Sequence, residues 1–284
     1  MKMKLNKNRH HYQPYRRAIQ ATVLLLMIAI PFLNLLKIDV VQGTLCSIGT
    51  MTINIITCPV GAIQTFLTTR HVDLLLLLSA SFFVVLAFVF GRIFCSWICV
   101  QHVFSEMGDK IRNVLGRNKG CQPDSPKRYR RGRKILLYFL GGSLFAAFIT
   151  GIPVICYICP IGAICRLFIN GTYLHKIGGE IIVLAIILIA EISIARRGWC
   201  KYLCPVGALY GVCSHSRSLK VRRNPDSCVG CGKCVEVCPM GEAPLHGRIG
   251  KTCTNCAICV DSCTTGALKL SFRKSLNSDQ ESKL

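Results

Sequence analysis

Four stretches of the chain are apolar almost without interruption. Ala18 to Leu36 is broken only by Gln20, Thr22, Pro31 and Asn34, and Leu74 to Gly91, Ile135 to Ile155 and Ile177 to Ala195 follow it. Runs of this length can cross a bilayer core of about 30 Å as helices that satisfy their own backbone polar groups. The pattern predicts a mainly α membrane protein with four transmembrane helices. A soluble buried bundle is the competing arrangement, and the scarcity of charge over such lengths disfavours it. Between the second and third runs, Gln101 to Arg117 spaces Val103, Phe104, Met107, Ile111, Val114 and Leu115 at mostly helical intervals. That spacing predicts an amphipathic helix, lying on the inner membrane surface or packed as a cap over the bundle. The resulting division is a basic N-terminus over 1–17, a membrane domain over 18–215, a small α+β module over 216–272 and a polar tail over 273–284.

Charge gives the pattern an orientation. Lys and Arg number 35 against 13 Asp and Glu, a formal net charge of +22. Such an excess suits nucleic acid or anionic lipid, and its placement beside apolar runs favours lipid, with no nucleic acid partner. Six basic residues precede the first run, eleven lie in 92–134 and seven in 196–223, whereas 37–71 and 156–176 carry two each. Cytoplasmic loops collect Lys and Arg, so both termini are expected on the cytoplasmic side of a bacterial inner membrane. The first run is long and has no small-residue cleavage site after it, which reads as an anchor and not as a signal peptide.

Nineteen cysteines carry the chemistry. Eight of them fall in C-x2-C-x2-C-x3-C, written twice: Cys228, Cys231, Cys234, Cys238, then Cys253, Cys256, Cys259, Cys263. Three thiolates at this spacing wrap one iron–sulfur cube, and the fourth reaches the neighbouring cube. Cys228, Cys231, Cys234 and Cys263 are therefore expected on a first [4Fe-4S] cluster, and Cys253, Cys256, Cys259 and Cys238 on a second. Two structural zinc sites are the competing reading, since C-x2-C pairs also suit tetrahedral zinc. Zinc modules usually have two pairs with a long spacer, and a triple plus one fits that poorly.

The membrane portion looks duplicated. CPVGAIQ at 58–64 echoes CPIGAIC at 159–165, and FCSWIC at 94–99 echoes WCKYLC at 199–204. Each unit reads as helix, outer CPxGAI element, helix and inner C-x3-C, so the two units run in the same sense, as in parallel transporter repeats. A site at their interface would draw ligands from both, bringing Cys95, Cys99, Cys200 and Cys204 together as a possible third cluster. Packing cysteines or a redox thiol pair are the alternatives. Cys58 and Cys159 occupy matching outer positions, with Cys46, Cys156 and Cys165 nearby, and suit a disulfide, a metal or a further redox centre.

With these motifs in place the chain resembles the NapH-type ferredoxin-like quinol dehydrogenase membrane components (the NapH/MauN family), with NosR-like and CcoG-like membrane ferredoxins as relations. Four helices, the C-x3-C elements, GWCKYLCPVGALYG at 198–211 and the two-cluster module carry the resemblance, which covers essentially the whole chain. Val100 departs from it, standing where a proline would follow Cys99. The resemblance implies oxidation of menaquinol or ubiquinol from the membrane quinone pool. Electrons would pass through a NapG-like ferredoxin partner to a terminal reductase in the periplasm, such as that for nitrate or nitrous oxide. A CcoG-like factor reducing metal or thiols, and a cluster-based redox sensor, are the alternatives. Quinol oxidation releases two protons, so a carboxylate or imidazole must accept them. His71 with Asp73, and His175 with Glu180, sit at corresponding outer positions. Glu191 is an ionisable group inside an apolar run, which is a functional hypothesis by default. No P-loop, dinucleotide fingerprint or C-x-x-C-H haem motif is present.

Overall fold

Each apolar run becomes a helix, with boundaries moved by local chemistry. The computed structural model describes residues 11–35, 42–44, 47–49, 54–69, 74–116, 126–173, 179–193, 196–214, 217–246 and 249–272. His71, Asp73, His175, Cys46 and the polar tail lie outside these residues.

Helix α1 spans Tyr12–Leu35 and so begins inside the expected polar N-terminus. The reason is a borrowed cap. Tyr12 and Gln13 donate their backbone N–H groups to the two carboxylate oxygens of Asp261, at 3.1 and 2.9 Å, satisfying donors that a helix start leaves unpaired. Strands β1 (Gln42–Thr44), β2 (Ser47–Gly49) and β3 (Asn54–Thr57) form an antiparallel sheet in that order. β3 packs along α3, and after Cys58 the chain returns as α2 (Pro59–Thr69) before α3 (Leu74–Phe90). A short α4 (Ile93–Trp97) and then α5 (Val100–Val114) complete the first half.

The second half repeats this order. α6 covers Pro126–Thr150. Proline at its first position suits an N-terminus, and Gly151, at φ +66°, ends it in the left-handed conformation that glycine adopts freely. The third apolar run is thus cut before Ile155, and its remainder becomes α7 (Val154–Ile158), which folds back against α6. α8 (Pro160–Tyr173), α9 (Glu180–Ser193), a π-helical turn (Trp199–Leu203) and α10 (Pro205–Cys213) follow.

Four helices stand where four spans were expected. Leu25 of α1, Leu78 and Phe82 of α3, Phe145 and Ile149 of α6 and Ile182 and Ile189 of α9 are all more than half exposed. By length and composition alone, Arg131–Thr150 is the one segment among the described residues that could cross a membrane, and Leu74–Phe90 is a shorter apolar helix. α5 has the amphipathic character its spacing predicts, but turned inside out for a water-soluble globule. Gln101, His102 and Ser105 are buried, while Met107, Ile111 and Val114 face outward.

The C-terminal module pairs β4 (Leu219–Arg223) antiparallel with β5 (Leu268–Phe272), with α11 (Lys233–Glu236) and α12 (Ile258–Asp261) between them. It docks on the helical half through buried polar contacts. Ser96 Oγ donates to the Thr254 carbonyl at 2.7 Å, and Trp97 Nε1 to that of Asn255 at 3.3 Å. Asn255 Nδ2 donates to the Phe90 and Leu219 carbonyls, both at 3.0 Å. Gln13 reaches the Cys256 carbonyl at 2.9 Å.

Candidate electron-transfer sites

In the C-terminal module the cysteine spacing has a direct structural counterpart. Gly232 and Ala257 each take a left-handed conformation, at φ +75° and +59°, just before α11 and α12. Cys228, Cys231, Cys234 and Cys263 line one small space. Cys238, Cys253, Cys256 and Cys259 line another. These are the two quartets expected from the spacing, each with its fourth cysteine taken from the other motif.

As free thiols Cys234, Cys238, Cys253 and Cys259 resist ionisation. Burial pushes Cys253 up to about 12, against the attraction of Arg217. Burial, then the neighbouring Cys256 and Cys253, push Cys238 and Cys259 far up as well. Cys263 differs. Burial opposes its ionisation, yet hydrogen bonds from the Thr265 hydroxyl and the amides of Leu268, Ala267 and Thr265 hold it below the usual thiol value. A metal centre that replaces the proton supplies the positive charge such thiolates need.

The C-x3-C cysteines also come together. Cys99 lies within electrostatic reach of Cys95 and Cys200, and Cys204 within reach of Cys200 and Cys95. Their geometry differs from two residues on one helix face. In each pair the second cysteine closes a widened turn, through Cys99 N–H to the Phe94 carbonyl at 3.1 Å and Cys204 N–H to that of Trp199 at 2.8 Å. It then caps the helix that follows. The Cys204 sulfur accepts the Gly207 N–H at 3.4 Å. Bonds from residue i to i+5 are rare in helices and frequent at functional sites.

Beside this quartet lies a buried cation. Arg92 is 1% exposed, its guanidinium donates to the Cys200 carbonyl at 3.2 Å, and its Nε has no partner. Among the described residues no carboxylate pairs with it. A desolvated, unpaired guanidinium is costly, and thiolates at Cys95 and Cys200 would supply the missing negative charge. Gly207 makes the approach possible, because a Cβ there would stand 2.4 Å from the Arg92 guanidinium. Arg197, the residue at the matching position before Cys200, is also buried and adopts φ +53°, rare outside glycine. Its guanidinium contacts His102 at 2.6 and 2.7 Å and Asp109 at 3.4 Å. Arg16 reaches the same imidazole at 2.9 Å and pairs with Glu106. Burial, then Arg197 and Arg16, hold His102 well below the ordinary histidine value, so it is neutral.

Glu191 belongs to this polar layer. Its Oε2 accepts the Ser105 hydroxyl at 2.6 Å, and its buried Oε1 has no partner.

The expected separation of an outer pair from an inner quartet does not hold. Cys58 and Cys159 line one apolar cavity with Cys99, Phe94 and Tyr210, a space of about 60 Å³. The physical reason is that α2 and α8 are not continuous with the long helices. β3 and α7 carry the chain into the bundle, and the two CPxGAI elements turn it back there. Among the described residues no three such side chains close to the distances of a single bound ion, and this is as true of the two ferredoxin quartets as of the helical half.

Arg92, Arg197, His102 and Tyr210 were not singled out in the sequence. The two arginines did carry a signal, R-x2-C-x3-C in both halves. Cys204, named there for its C-x3-C, also opens CPVGAL at 204–209, which shares CPxGA with the two CPxGAI elements.

A family model described as a 4Fe-4S binding domain matches twice, at residues 72–118 and 177–224, on the corresponding parts of the two halves. A second model so described matches residues 220–244. The chain is 34% identical to YccM of Escherichia coli (strain K12) over 61% of its own length and 48% of the other's. It is 28% identical to the methylamine utilization ferredoxin-type protein MauN of Methylorubrum extorquens, over 81% and 75%. It is 30% identical to the ferredoxin-type protein NapH of Haemophilus influenzae, over 64% and 61%. The chain thus spans about half the length of the first of these relatives. No solved structure matches it.

Proposed function

We propose that the chain, similar to ferredoxin-type proteins named NapH and MauN, is a member of that family and a membrane-bound electron carrier that oxidises quinol. Electrons leave through iron–sulfur clusters towards a NapG-like ferredoxin and a respiratory reductase. The eight ferredoxin cysteines hold two [4Fe-4S] clusters, and Cys95, Cys99, Cys200 and Cys204 hold a third. When bound, such clusters accept and donate one electron at a time. α1, α3, α6 and α9 lie in the inner membrane, where their exposed leucines, isoleucines and phenylalanines meet lipid. The C-terminal module lies on the cytoplasmic side, where thiols stay reduced.

The observation that carries this reading is the docking of the Cys253–Cys256 loop on α4. Ser96 and Trp97, which hold that loop, sit between Cys95 and Cys99 in the chain. The docking therefore gives the C-x3-C quartet and the second ferredoxin quartet a short bonded route between them.

For the quinol we assign the groove between α6, α7 and the π turn. It has about 270 Å³ and is lined by Tyr138, Phe139, Gly142, Ser143, Trp199 and Pro205. Its aromatic rings suit a quinol head group, its glycine leaves room for it, and Trp199 and Pro205 adjoin Cys200 and Cys204. Glu191 lies beside the backbone of Trp199 and is the group to which we assign a released proton. A carboxylate with one buried oxygen unpartnered is poised to accept a proton.

The test is anaerobic and uses detergent-purified protein with its clusters oxidised. Menaquinol or ubiquinol analogues are added, iron is counted and cluster reduction is followed by EPR. Fast reduction with about twelve irons, as three cubes require, is the expected result. Full clusters that neither quinol reduces would sink the quinol reading and favour an assembly or sensing role.

A further inference from the structure

The two ferredoxin quartets sit in unlike surroundings. Cys231 of the first is exposed, and Val229 beside it is 57% exposed. Cys238, Cys256 and Cys259 of the second are buried, and the chain from Cys253 to Asn255 docks on the ends of α3 and α4. An enclosed cluster is harder to reduce, because the added electron deepens a negative charge that little water screens. Arg217, between α10 and β4, stands at this junction. It is 3% exposed, and its Nη1 and Nη2 donate to the carbonyls of Cys253 at 3.2 Å and Gly250 at 3.0 Å. Its Nε has no partner, and among the described residues no carboxylate pairs with it. Gly91 makes its seat. That glycine ends α3 at φ +70°, and a Cβ there would stand 2.8 Å from the Arg217 Cδ. The next residue fixes the seat from the backbone, since the Ser218 N–H donates to the Val89 carbonyl at 3.0 Å. Glu242, also buried, holds the same loop from its other side. Its carboxylate accepts the Gly250 N–H at 2.7 Å and the Thr252 hydroxyl. The loop from Gly250 to Cys253 is thus gripped by a cation on its carbonyls and an anion on its donors.

We propose that Arg217 is a positioning residue of the second ferredoxin site, seated on Gly91 so that docking of the module on α3 sets that site's reduction potential. This rests on the reading of the eight ferredoxin cysteines as [4Fe-4S] ligands, and not on quinol oxidation. Arg217 acts through the Cys253 peptide that it holds. It brings a desolvated positive charge to the quartet, which favours the reduced state in a low-dielectric setting. Glu242 lines the space of the same quartet and favours the oxidised state. The first quartet lacks this dependence on docking. Arg223, whose Nη1 lies 3.9 Å from the Cys228 sulfur, is carried by the module's own β4 and is only half-buried. The end of α3 therefore serves two sites with consecutive residues. Gly91 seats the cation that holds the Cys253 carbonyl, and Arg92 is itself the cation that holds the Cys200 carbonyl.

The experiment is a mediated redox titration with EPR detection, on full-length protein reconstituted anaerobically with ferrous iron and sulfide and given no quinol. Cys231→Ala identifies the first-cluster signal by removing it. Arg217→Gln should keep its iron and make reduction of the second cluster about tenfold less favourable, a fall of about 60 mV for a one-electron couple. The first-cluster potential should not move. Arg217→Lys should recover part of the shift, and Glu242→Gln should move the same signal the opposite way. Gly91→Ala keeps the charge but displaces it, so the second-cluster potential should fall there too. An unchanged second-cluster potential in Arg217→Gln, or an equal shift of both clusters, would overturn the proposal. A fall in Glu242→Gln would also overturn it, because the potential would then follow the grip on the loop and not the charge. If Arg217→Gln does not fold or load, Gly91→Ala decides by the same criteria. Clusters that titrate as expected yet stay oxidised when quinol is added afterwards would sink the proposed function and leave the role of Arg217 standing.

Discussion

The two halves of this protein gather cysteines in opposite ways. In the C-terminal module eight thiols come from one stretch, Cys228 to Cys263, and the turns that aim them are left-handed residues at Gly232 and Ala257. In the helical half the thiols come from residues 58 to 204, and what aims them is a set of helix starts meeting in one place. The first arrangement is written in local spacing and would form wherever this segment folds. The second exists only when β3, α7, α4 and the π turn are packed together. A cofactor site built on local spacing should tolerate damage to the bundle, and one built on packing should not.

The largest effect expected from breaking this contrast is at Cys238. In the proposed function it is the ligand that crosses from one ferredoxin motif to the other, so Cys238→Ser should remove about four irons. It should also slow quinol-driven reduction of the remaining ferredoxin cluster by on the order of a hundredfold, read by stopped-flow absorbance. The iron proposed for the C-x3-C quartet should stay in place.

Arg92→Gln tests the packed site. Removing the buried cation leaves anionic thiolates uncompensated, so the midpoint potential of the C-x3-C centre should fall. A drop on the order of 60 mV is one decade for a one-electron couple. Redox titration with EPR detection measures it, and Arg92→Lys should restore part of the shift. An unchanged potential would mean that the guanidinium serves packing alone.

Ser96→Ala separates the two halves more gently. It removes the hydrogen bond to the Thr254 carbonyl, a loss of about 1 kcal/mol. Electron transfer between the C-x3-C and ferredoxin centres should slow several-fold with iron content unchanged.

The smallest effect concerns pH. His102 is neutral in the fold because burial and two guanidiniums depress its pKa. The unfolded chain takes up a proton near pH 6.5 and the folded chain does not. The stability that depends on a neutral His102 is therefore complete above that pH and is lost as pH falls towards the lower, folded value. The loss is at most about 1.4 kcal/mol per pH unit. Thermal unfolding between pH 7.5 and 5.5 should show a steeper decline for the wild-type protein than for His102→Gln.

Residue spacing alone was enough to group Cys228, Cys231 and Cys234 with Cys263, and Cys253, Cys256 and Cys259 with Cys238. The physical reason is that ferredoxin ligands are set by turns of a few residues, whose geometry depends on little beyond the turn itself. Hydrophobic runs were likewise enough to locate four helices, because helix formation in an apolar segment needs no partner. Recurrence of CPxGAI and C-x3-C was enough to reveal two similar halves. What spacing could not determine was depth. An apolar run does not record where the chain reverses, so Cys58 and Cys159 were expected far from Cys95 and Cys200 and instead share a cavity with Cys99. Nor does a lone arginine record its burial. Arg16, Arg92 and Arg197 read as ordinary members of basic flanks, yet each is enclosed, because the pocket around each comes from helices distant in sequence. Tertiary packing alone decided which helix starts meet, and with them which thiols and which cations share a site.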